Sequence, residues 1–303
     1  MSKLIIAGGT GFLGAIITSY FKDAFDDIVL LSRKRTQPES NCRIVLWDAR
    51  TIGDWASEIE GADVLINMTG RSVDCRYHQK NKDLILNSRV DSTKVLGEAI
   101  KLCKNPPNLW LNSSTATIYR HSLDKEMDEA SGEIGEGFSV SVAKAWEKAF
   151  FETETPTTRK IALRTAIVLG KNGGALQSII KITKLGLGGK QGSGDQKFSW
   201  IHEDDFVQII DFCIKNETIK GPINVVSPHP SDNKTVMSLL RKTLKVPFGI
   251  PSGKTLLELG AFMIRTETEL LLKSRNVIPK RLLDYGYTFS FKDLETALKE
   301  LTA

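Results

Sequence analysis

Short apolar segments alternate with longer amphipathic segments through the first two thirds of the chain. A nearly continuous apolar run is typical of a strand buried on both faces of a parallel sheet, whereas apolar residues three and four positions apart indicate a helix. The apolar runs predict six strands, over Lys3–Ala7, Ile28–Leu31, Arg43–Trp47, Val64–Asn67, Leu109–Asn112 and Lys160–Thr165. Strands that alternate with helices predict an α/β fold with a doubly wound parallel sheet and right-handed crossovers.

The later part of the chain is less regular. Glycines surround a helix predicted over Ala175–Lys184. After it the pattern predicts a strand over Phe198–His202, a helix over Asp204–Ile214 and a strand over Ile223–Val226. Beyond Pro228 the pattern is mostly helical. The last amphipathic helix carries on one face Phe291, Leu294, Leu298 and Leu301. This pattern predicts a small, mostly helical C-terminal region that packs against the sheet.

A glycine-rich motif, GGTGFLG, follows the first predicted strand at positions 8–14 and opens a helix. Small residues there allow a tight turn, let backbone amides approach a pyrophosphate and let the helix pack on the strand. The helix N-terminus adds a partial positive charge. The alternative is a plain tight turn without a ligand. We expect a dinucleotide site that uses Gly8, Thr10, Gly11, Phe12, Leu13 and Gly14.

The residues after the second predicted strand indicate which dinucleotide is bound. An acidic residue there would bind the ribose 2′-hydroxyl of NAD, but the chain instead has Ser32, Arg33, Lys34 and Arg35. Cations in place of a carboxylate favour a 2′-phosphate. An exposed basic turn without a ligand is the alternative. We therefore predict NADP(H) as the cofactor, with Asp48 after the third strand near the adenine edge.

Composition places the chain among ordinary globular proteins. Its 303 residues suffice for roughly two domains, and 41% hydrophobic with 25% charged residues exclude a disordered or fibrous protein. A net charge of +5 without a clustered basic stripe predicts no nucleic-acid partner. The uncharged run Leu4–Phe21 holds four glycines, so we expect no membrane segment. Four widely spaced cysteines and four scattered histidines predict a cytoplasmic protein without disulfide or metal sites.

With these motifs placed, the chain resembles the extended short-chain dehydrogenase/reductases, and within them the atypical "epimerase family protein" subfamily with a C-terminal domain of unknown function. The matching segments span nearly the whole chain. They include GGTGFLG at 8–14, SRK at 32–34, INMTGRSV at 66–73, KLGLGGKQGSGDQKFSWIHEDD at 184–205 and NVIPKRLLDYGYTF at 276–289. The resemblance implies a Rossmann-like doubly wound sheet with a small C-terminal substrate region.

The resemblance also implies a division of the chain and further cofactor contacts. An NADP(H)-binding domain would cover residues 1–170, with 197–226 returning to it, and a substrate region would cover 171–196 and 227–303. Contacts to the cofactor would come, beyond the glycine loop and the basic turn, from Met68, Thr69, Gly70, Arg89 and Leu169. Residues from Gly186 to Trp200 would form a wall of the substrate cleft.

The catalytic pair of this enzyme class is missing. Short-chain dehydrogenases use Tyr-x-x-x-Lys, in which the ammonium lowers the pKa of the phenol. No tyrosine here has a lysine four residues later, and Val140 stands four residues before Lys144. The segment 113–119 resembles the one that brings a catalytic hydroxyl to the substrate. Its best match is Thr115.

Each remaining catalytic candidate has a structural alternative. Thr115 could cap a loop, Lys144 could be a solvated helix lysine, and Tyr119, a candidate acid, could be a packed tyrosine. His202 lies nearest the predicted cleft, but a structural histidine beside a helix capped by Asp204 or Asp205 is favoured.

Two functions follow. The first is an NADP(H)-dependent oxidoreductase or epimerase-like enzyme for a small polar substrate. The second is a non-catalytic NADP(H)-binding sensor or partner protein. Neither function predicts a particular oligomeric state.

Overall fold

The computed structural model describes residues 1–35, 42–253 and 273–303. Its strands are β1 (Lys3–Ala7), β2 (Asp27–Ser32), β3 (Cys42–Leu46), β4 (Val64–Asn67), β5 (Leu109–Thr115), β6 (Arg159–Thr165), β7 (Ile167–Leu169), β8 (Lys197–Phe198), β9 (Trp200–His202), β10 (Gly221–Val225) and β11 (Ser231–Asp232). Its helices are α1 (Phe12–Phe21), α2 (Gln79–Leu102), α3 (Phe138–Glu152), α4 (Gly174–Ile182), α5 (Glu203–Lys215), α6 (Asn233–Thr243), α7 (Lys280–Asp284) and α8 (Leu294–Thr302).

A seven-stranded sheet forms the centre of this described part of the chain. Its order is β10-β6-β5-β4-β1-β2-β3, and every neighbouring pair is parallel. This arrangement confirms the predicted Rossmann-like doubly wound sheet. All the strands therefore end at one edge, where ligands bind in folds of this kind.

Burial on both faces of the sheet explains the continuous apolar runs. Leu4 and Ile6 of β1 belong to one apolar cluster, whereas Ile5 and Ala7 belong to another on the opposite face. The first cluster includes residues of α1 and α5, and the second includes residues of α2. The six predicted strands are confirmed, and the uncharged run Leu4–Phe21 is β1, a loop and α1. Within the described ranges, no helix has the length and apolarity needed to span a membrane.

Most strand boundaries differ from the prediction by one or two residues, and two strands differ more. β5 continues three residues past Asn112 because the polar residues up to Thr115 still pair with β6. The strand predicted over Phe198–His202 divides at Ser199 into β8, which is antiparallel to β11, and β9, which is parallel to β7. The Ser199 hydroxyl donates to the Arg275 carbonyl and accepts the Val277 N–H, so it attaches this break to the C-terminal segment.

The C-terminal helices enclose an apolar cluster of their own. It joins residues of β7 and α4 to residues of α6 and α8, among them Leu169, Leu176, Leu240 and Leu298. The sequence analysis placed Phe291 within the last helix, but this residue precedes α8. Its ring stacks on that of His202, with 3.7 Å between the ring centroids.

A buried ion pair connects the sheet to α3. Both oxygens of Glu147 accept from the guanidinium of Arg164, at 2.8 and 2.7 Å, and Ser114 donates to the same carboxylate at 2.6 Å. Burial alone would lower the pKa of Arg164, but Glu147 raises it above the usual arginine value. The guanidinium also donates to the Tyr119 hydroxyl at 2.9 Å, which extends the network across the sheet.

Glu147→Gln should strongly destabilise the fold, because it leaves the Arg164 charge buried without its counter-charge. We expect the free energy of unfolding, measured by urea denaturation, to fall by about 3 kcal/mol. The matched control is Glu152→Gln on the same helix, where an exposed carboxylate pairs with Lys148 at 3.7 Å. That change should cost less than about 0.5 kcal/mol. Equal losses in the two variants would contradict the assignment.

Candidate cofactor site and active site

The glycine loop approaches the neighbouring strand ends closely. Gly8 has φ +78°, and its N–H donates to the Leu31 carbonyl at 3.1 Å. A Cβ on Gly8 would lie 3.0 Å from the backbone carbonyl of Met68, and one on Gly14 would lie 2.5 Å from Cα of Gly9. Glycine is therefore required at Gly8 by both conformation and space, and at Gly14 by space.

The first turn of α1 is open to an anion. Gly11 is the N-cap, so no side chain accepts the N–H groups of that turn, and the turn contains no acidic residue. Unpaired N–H groups at a helix N-terminus bind phosphate well. The residues present here therefore fit the pyrophosphate of a dinucleotide.

The ring of Phe12 fills a socket made by three glycines of the segment that begins α4. A Cβ on Gly173 would lie 2.5 Å from the ring and one on Gly174 would lie 2.8 Å from it, and a Cβ on Gly170 would also collide with it. Since Phe12 is the first residue of α1, its ring connects the glycine loop to α4 by direct packing. These glycines contribute to the site, and the sequence analysis did not assign them to it. The Gly-Gly pair at 173–174 was the available signal.

The predicted phosphate-binding turn begins at a buried serine. Ser32 ends β2, its hydroxyl accepts the Lys34 N–H at 3.2 Å, and the following cations Arg33, Lys34 and Arg35 are exposed. This geometry places three positive side chains at the carboxyl edge of the sheet. The residues that follow, 36–41, lie outside the described ranges.

Asp48 holds the turn after β3. Its carboxylate accepts the N–H groups of Arg50 and Thr51 at 2.8 and 2.9 Å and the Thr51 hydroxyl at 2.6 Å. These hydrogen bonds lower the pKa of Asp48 to about 2, and the bond from the Thr51 hydroxyl contributes most. The carboxylate is therefore ionised and committed to the turn, and its contact with the adenine edge stays a prediction.

The end of β4 carries a hydroxyl without a partner. Asn67 accepts the Thr69 N–H at 3.0 Å and donates to Asn112 at 2.8 Å, which fixes the backbone beside the glycine loop. The Thr69 hydroxyl is buried and has no hydrogen-bond partner in the described part of the chain. A buried hydroxyl without a partner is costly, so this atom is well placed to meet a ligand.

Arg89 of α2 is a desolvated cation beside Gly70. Burial lowers its pKa to about 10, and its Nη1 donates to the carbonyls of Arg71 and Ile85, both at 3.0 Å. Its guanidinium lies 5.1 Å from the ring centroid of Trp146. Among the described residues no carboxylate lies within ion-pair distance of it. Arg89 therefore favours an anionic or electron-rich ligand at this edge.

Thr115 and Lys144 keep groups available for chemistry. Thr115 ends β5, and its oxygen accepts the Thr117 N–H at 3.1 Å, so the hydroxyl proton remains free to be donated. Lys144 of α3 is exposed and forms no hydrogen bond or ion pair with any described residue. Val140, which stands where the catalytic phenol would be, is 2% exposed and supplies no proton.

The environment of Tyr119 contradicts its role as a candidate catalytic acid. Its side chain is 1% exposed, and its hydroxyl donates to Asn224 and accepts from Arg164, both at 2.9 Å. Burial raises the pKa of the phenol. The hydroxyl has both hydrogen-bond partners and no access to a cleft, so Tyr119 is a packed structural tyrosine.

Leu169 and Trp200 are buried in the C-terminal apolar cluster and do not line an open cleft with their side chains. Leu169 is 1% exposed, and the Trp200 indole N–H donates to the His229 carbonyl at 3.3 Å. Leu169 could therefore meet a nicotinamide only through its backbone. The indole of Trp200 therefore forms part of the apolar cluster and does not line the predicted substrate cleft.

His202 is a helix cap. Its Nδ1 accepts the Asp204 N–H at 3.1 Å and its Nε2 lies 2.9 Å from the Glu300 carboxylate. The histidine itself, and neither predicted aspartate, is therefore the N-cap of α5. Asp205 instead accepts the N–H groups of Ser290 and Phe291, both at 2.8 Å, and attaches the C-terminal segment.

Family models match most of the chain. The model described as "NAD dependent epimerase/dehydratase family" matches residues 4–227. A second model, "Domain of unknown function (DUF1731)", matches residues 254–301. Among named proteins, the chain is 32% identical to "Epimerase family protein YfhF" of Bacillus subtilis (strain 168) over 304 residues, which covers 99% of this chain and 98% of that protein.

Solved structures of similar proteins share the fold. The crystal structure of human epimerase family protein SDR39U1 (isoform 2) with NADPH superposes with a TM-score of 0.88 at 30% identity, covering 99% of this chain and 98% of that one. A nucleoside-diphosphate sugar epimerase from Corynebacterium glutamicum gives a TM-score of 0.78 at 28% identity, over 98% of this chain and 57% of that one.

Gly173→Ala should weaken dinucleotide binding, because its Cβ pushes against the Phe12 ring at the start of α1. We expect the affinity for NADPH, measured by calorimetry, to fall about tenfold, or about 1.4 kcal/mol. The smaller side chain of Phe12→Leu should restore part of that affinity when it is combined with Gly173→Ala. Gly253→Ala, where a Cβ would meet no described residue within 4 Å, is the control. Unchanged NADPH affinity in Gly173→Ala would show that the socket does not position the loop.

Proposed function

The chain belongs to the NAD-dependent epimerase/dehydratase family, and from that premise we propose that it is an NADP(H)-binding oxidoreductase or epimerase-like enzyme for a small polar substrate. The observation that carries this proposal is the glycine loop, whose bare backbone leads into a helix N-terminus without a side-chain cap. Such a loop binds a pyrophosphate through backbone amides.

The preference for NADP(H) rests on charge. Three cations follow Ser32, at the position where an NAD-specific site carries a carboxylate. A guanidinium recognises a phosphate through paired, charge-assisted hydrogen bonds, so we assign Arg33 to the 2′-phosphate and Lys34 to a supporting charge. The human relative, whose structure was solved with NADPH, is consistent with this assignment.

The chain's own groups define the chemistry that remains possible. A nicotinamide cofactor supplies or accepts a hydride when it is bound. In this proposal the Thr115 hydroxyl donates a hydrogen bond to the substrate oxygen whose charge changes, because its own oxygen is already held by the Thr117 N–H. Lys144 supplies a nearby positive charge, and Arg89 holds the cofactor edge beside Gly70.

A second candidate function is an NADP(H)-binding sensor without turnover. It is favoured by the buried Val140 at the position of the catalytic phenol and by the enclosed hydroxyl of Tyr119. Val140 therefore supplies no acid, and both hydrogen-bonding positions of the Tyr119 hydroxyl are already occupied. The two candidates share the cofactor site and differ only in whether Thr115 and Lys144 act on a substrate.

Arg33→Gln should lower the affinity for NADPH at least about tenfold and leave that for NADH nearly unchanged, because only NADPH carries the 2′-phosphate. Fluorescence titration of both nucleotides measures the ratio. Lys292→Gln, which removes an exposed charge from the C-terminal region, is the control and should change neither affinity. An equal loss for both nucleotides would place Arg33 away from the 2′-phosphate.

Thr115→Ala and Lys144→Ala distinguish the enzyme from the sensor. For an enzyme, each substitution should reduce NADPH oxidation on a panel of carbonyl compounds by about 10²-fold or more while NADPH affinity changes little. Thr115→Ser should retain activity, since it keeps the hydroxyl. A wild-type protein that binds NADPH tightly and oxidises it with no compound of the panel would support the sensor.

A further inference from the structure

A cavity outside the candidate cofactor site lies beside the segments that follow β5 and β10. It has a volume of about 460 Å³, within the range of small-molecule sites, and opens to solvent. Its polar lining comes from Asp124, Glu126, Lys197, His229 and Asn276. None of these residues belongs to the glycine loop, the basic turn or the Thr115 region.

An apolar cluster separates this cavity from the candidate active site. Met127 and Val277 form a β-bridge and are both buried in a cluster that contains Ala116, the residue after Thr115. Successive side chains in extended backbone point to opposite sides. Glu126 and Asn276, which precede Met127 and Val277, therefore face away from the cluster and into the cavity. The cavity is thus a site distinct from the cofactor cleft.

The cavity is lined by an amide that has no hydrogen-bond partner among the described residues. Asn276 is 6% exposed, and its backbone carbonyl accepts the Met127 N–H at 2.7 Å, so its position is fixed. Its side-chain amide forms no hydrogen bond with any described residue. The donor and the acceptor of this amide are therefore available to a molecule in the cavity.

The cavity also holds charges of both signs that do not neutralise each other. The ammonium of Lys197 and the carboxylate of Glu126 form neither an ion pair nor a hydrogen bond within the described ranges. Hydrogen bonds from backbone N–H groups lower the pKa of the Asp124 carboxyl, and the largest contributions come from Asp124 itself and then from Lys125. This carboxyl is therefore ionised at neutral pH. Separated opposite charges around one small cavity match a ligand that carries both charges.

We propose that this cavity binds a small zwitterion of the size of an amino acid. Lys197 receives the carboxylate of the ligand, Glu126 and Asp124 receive its ammonium group, and the Asn276 amide bonds the polar atoms between them. Leu123, Pro228 and Pro230 complete the lining with apolar contact. This site is independent of the proposed hydride chemistry and does not require it.

Ligand-observed NMR on the full chain saturated with NADPH tests this site. The probes are glycine, L-serine, L-glutamate and L-lysine, with acetate and ethylamine as ligands of single charge. We expect at least one zwitterion to bind with a Kd below about 10 mM and more tightly than either singly charged probe. Lys197→Gln and Glu126→Gln should each weaken this binding about tenfold. Lys220→Gln, an exposed lysine before the amino end of β10, is the matched control and should bind normally.

Three results would overturn the proposal. They are the absence of zwitterion binding below about 10 mM, equal binding of acetate and the zwitterions, and unchanged affinity in both pocket variants. NADPH binding is measured on the same samples, so a failure of this site is distinguishable from a failure of the cofactor site.

Discussion

The ion pair between Arg164 and Glu147 is the constraint on which the candidate active site depends. Removing two charges from water is expensive, and the cost is offset only when the pair has good geometry and its other hydrogen bonds are satisfied. Ser114 and Tyr119 provide those bonds. The pair therefore fixes α3 against β5 and β6 in one arrangement. Thr115 follows Ser114 and Lys144 lies one helical turn before Glu147, so both catalytic candidates derive their positions from this buried pair.

The sequence predicts the sheet and the glycine loop well because each depends on local physics. A strand buried on both faces must be apolar along its buried length, as at positions 4–7 of β1 and 64–66 of β4. A backbone that approaches a pyrophosphate must lack side chains, as at Gly8. Other features depend on partners far away in the chain. The break at Ser199 requires Arg275 and Val277, and the Phe12 ring requires glycines some 160 residues later. No local pattern contains these contacts.

Residue types that serve catalysis also serve packing, and only their contacts separate the two roles. Tyr119 and His202 both fit a catalytic reading by type and position. The structure gives each of them two polar partners and almost no exposed surface. Thr69 shows the opposite case, since it has an ordinary position at a strand end but a buried hydroxyl without a partner among the described residues. The contacts of a side chain therefore separate the two roles where its residue type does not.

The C-terminal apolar cluster has a consequence for the order in which the molecule assembles. Leu169 and Leu176 pack there with Leu298 and Leu301, so residues more than 120 positions apart must meet before this cluster is complete. β1, β2 and β4, by contrast, lie within the first 67 residues. Loop closure over a longer chain costs more entropy, and contacts between distant residues slow folding. The half of the sheet that carries the glycine loop can therefore form early, whereas the region beyond β7 acquires its core only after the last helix docks.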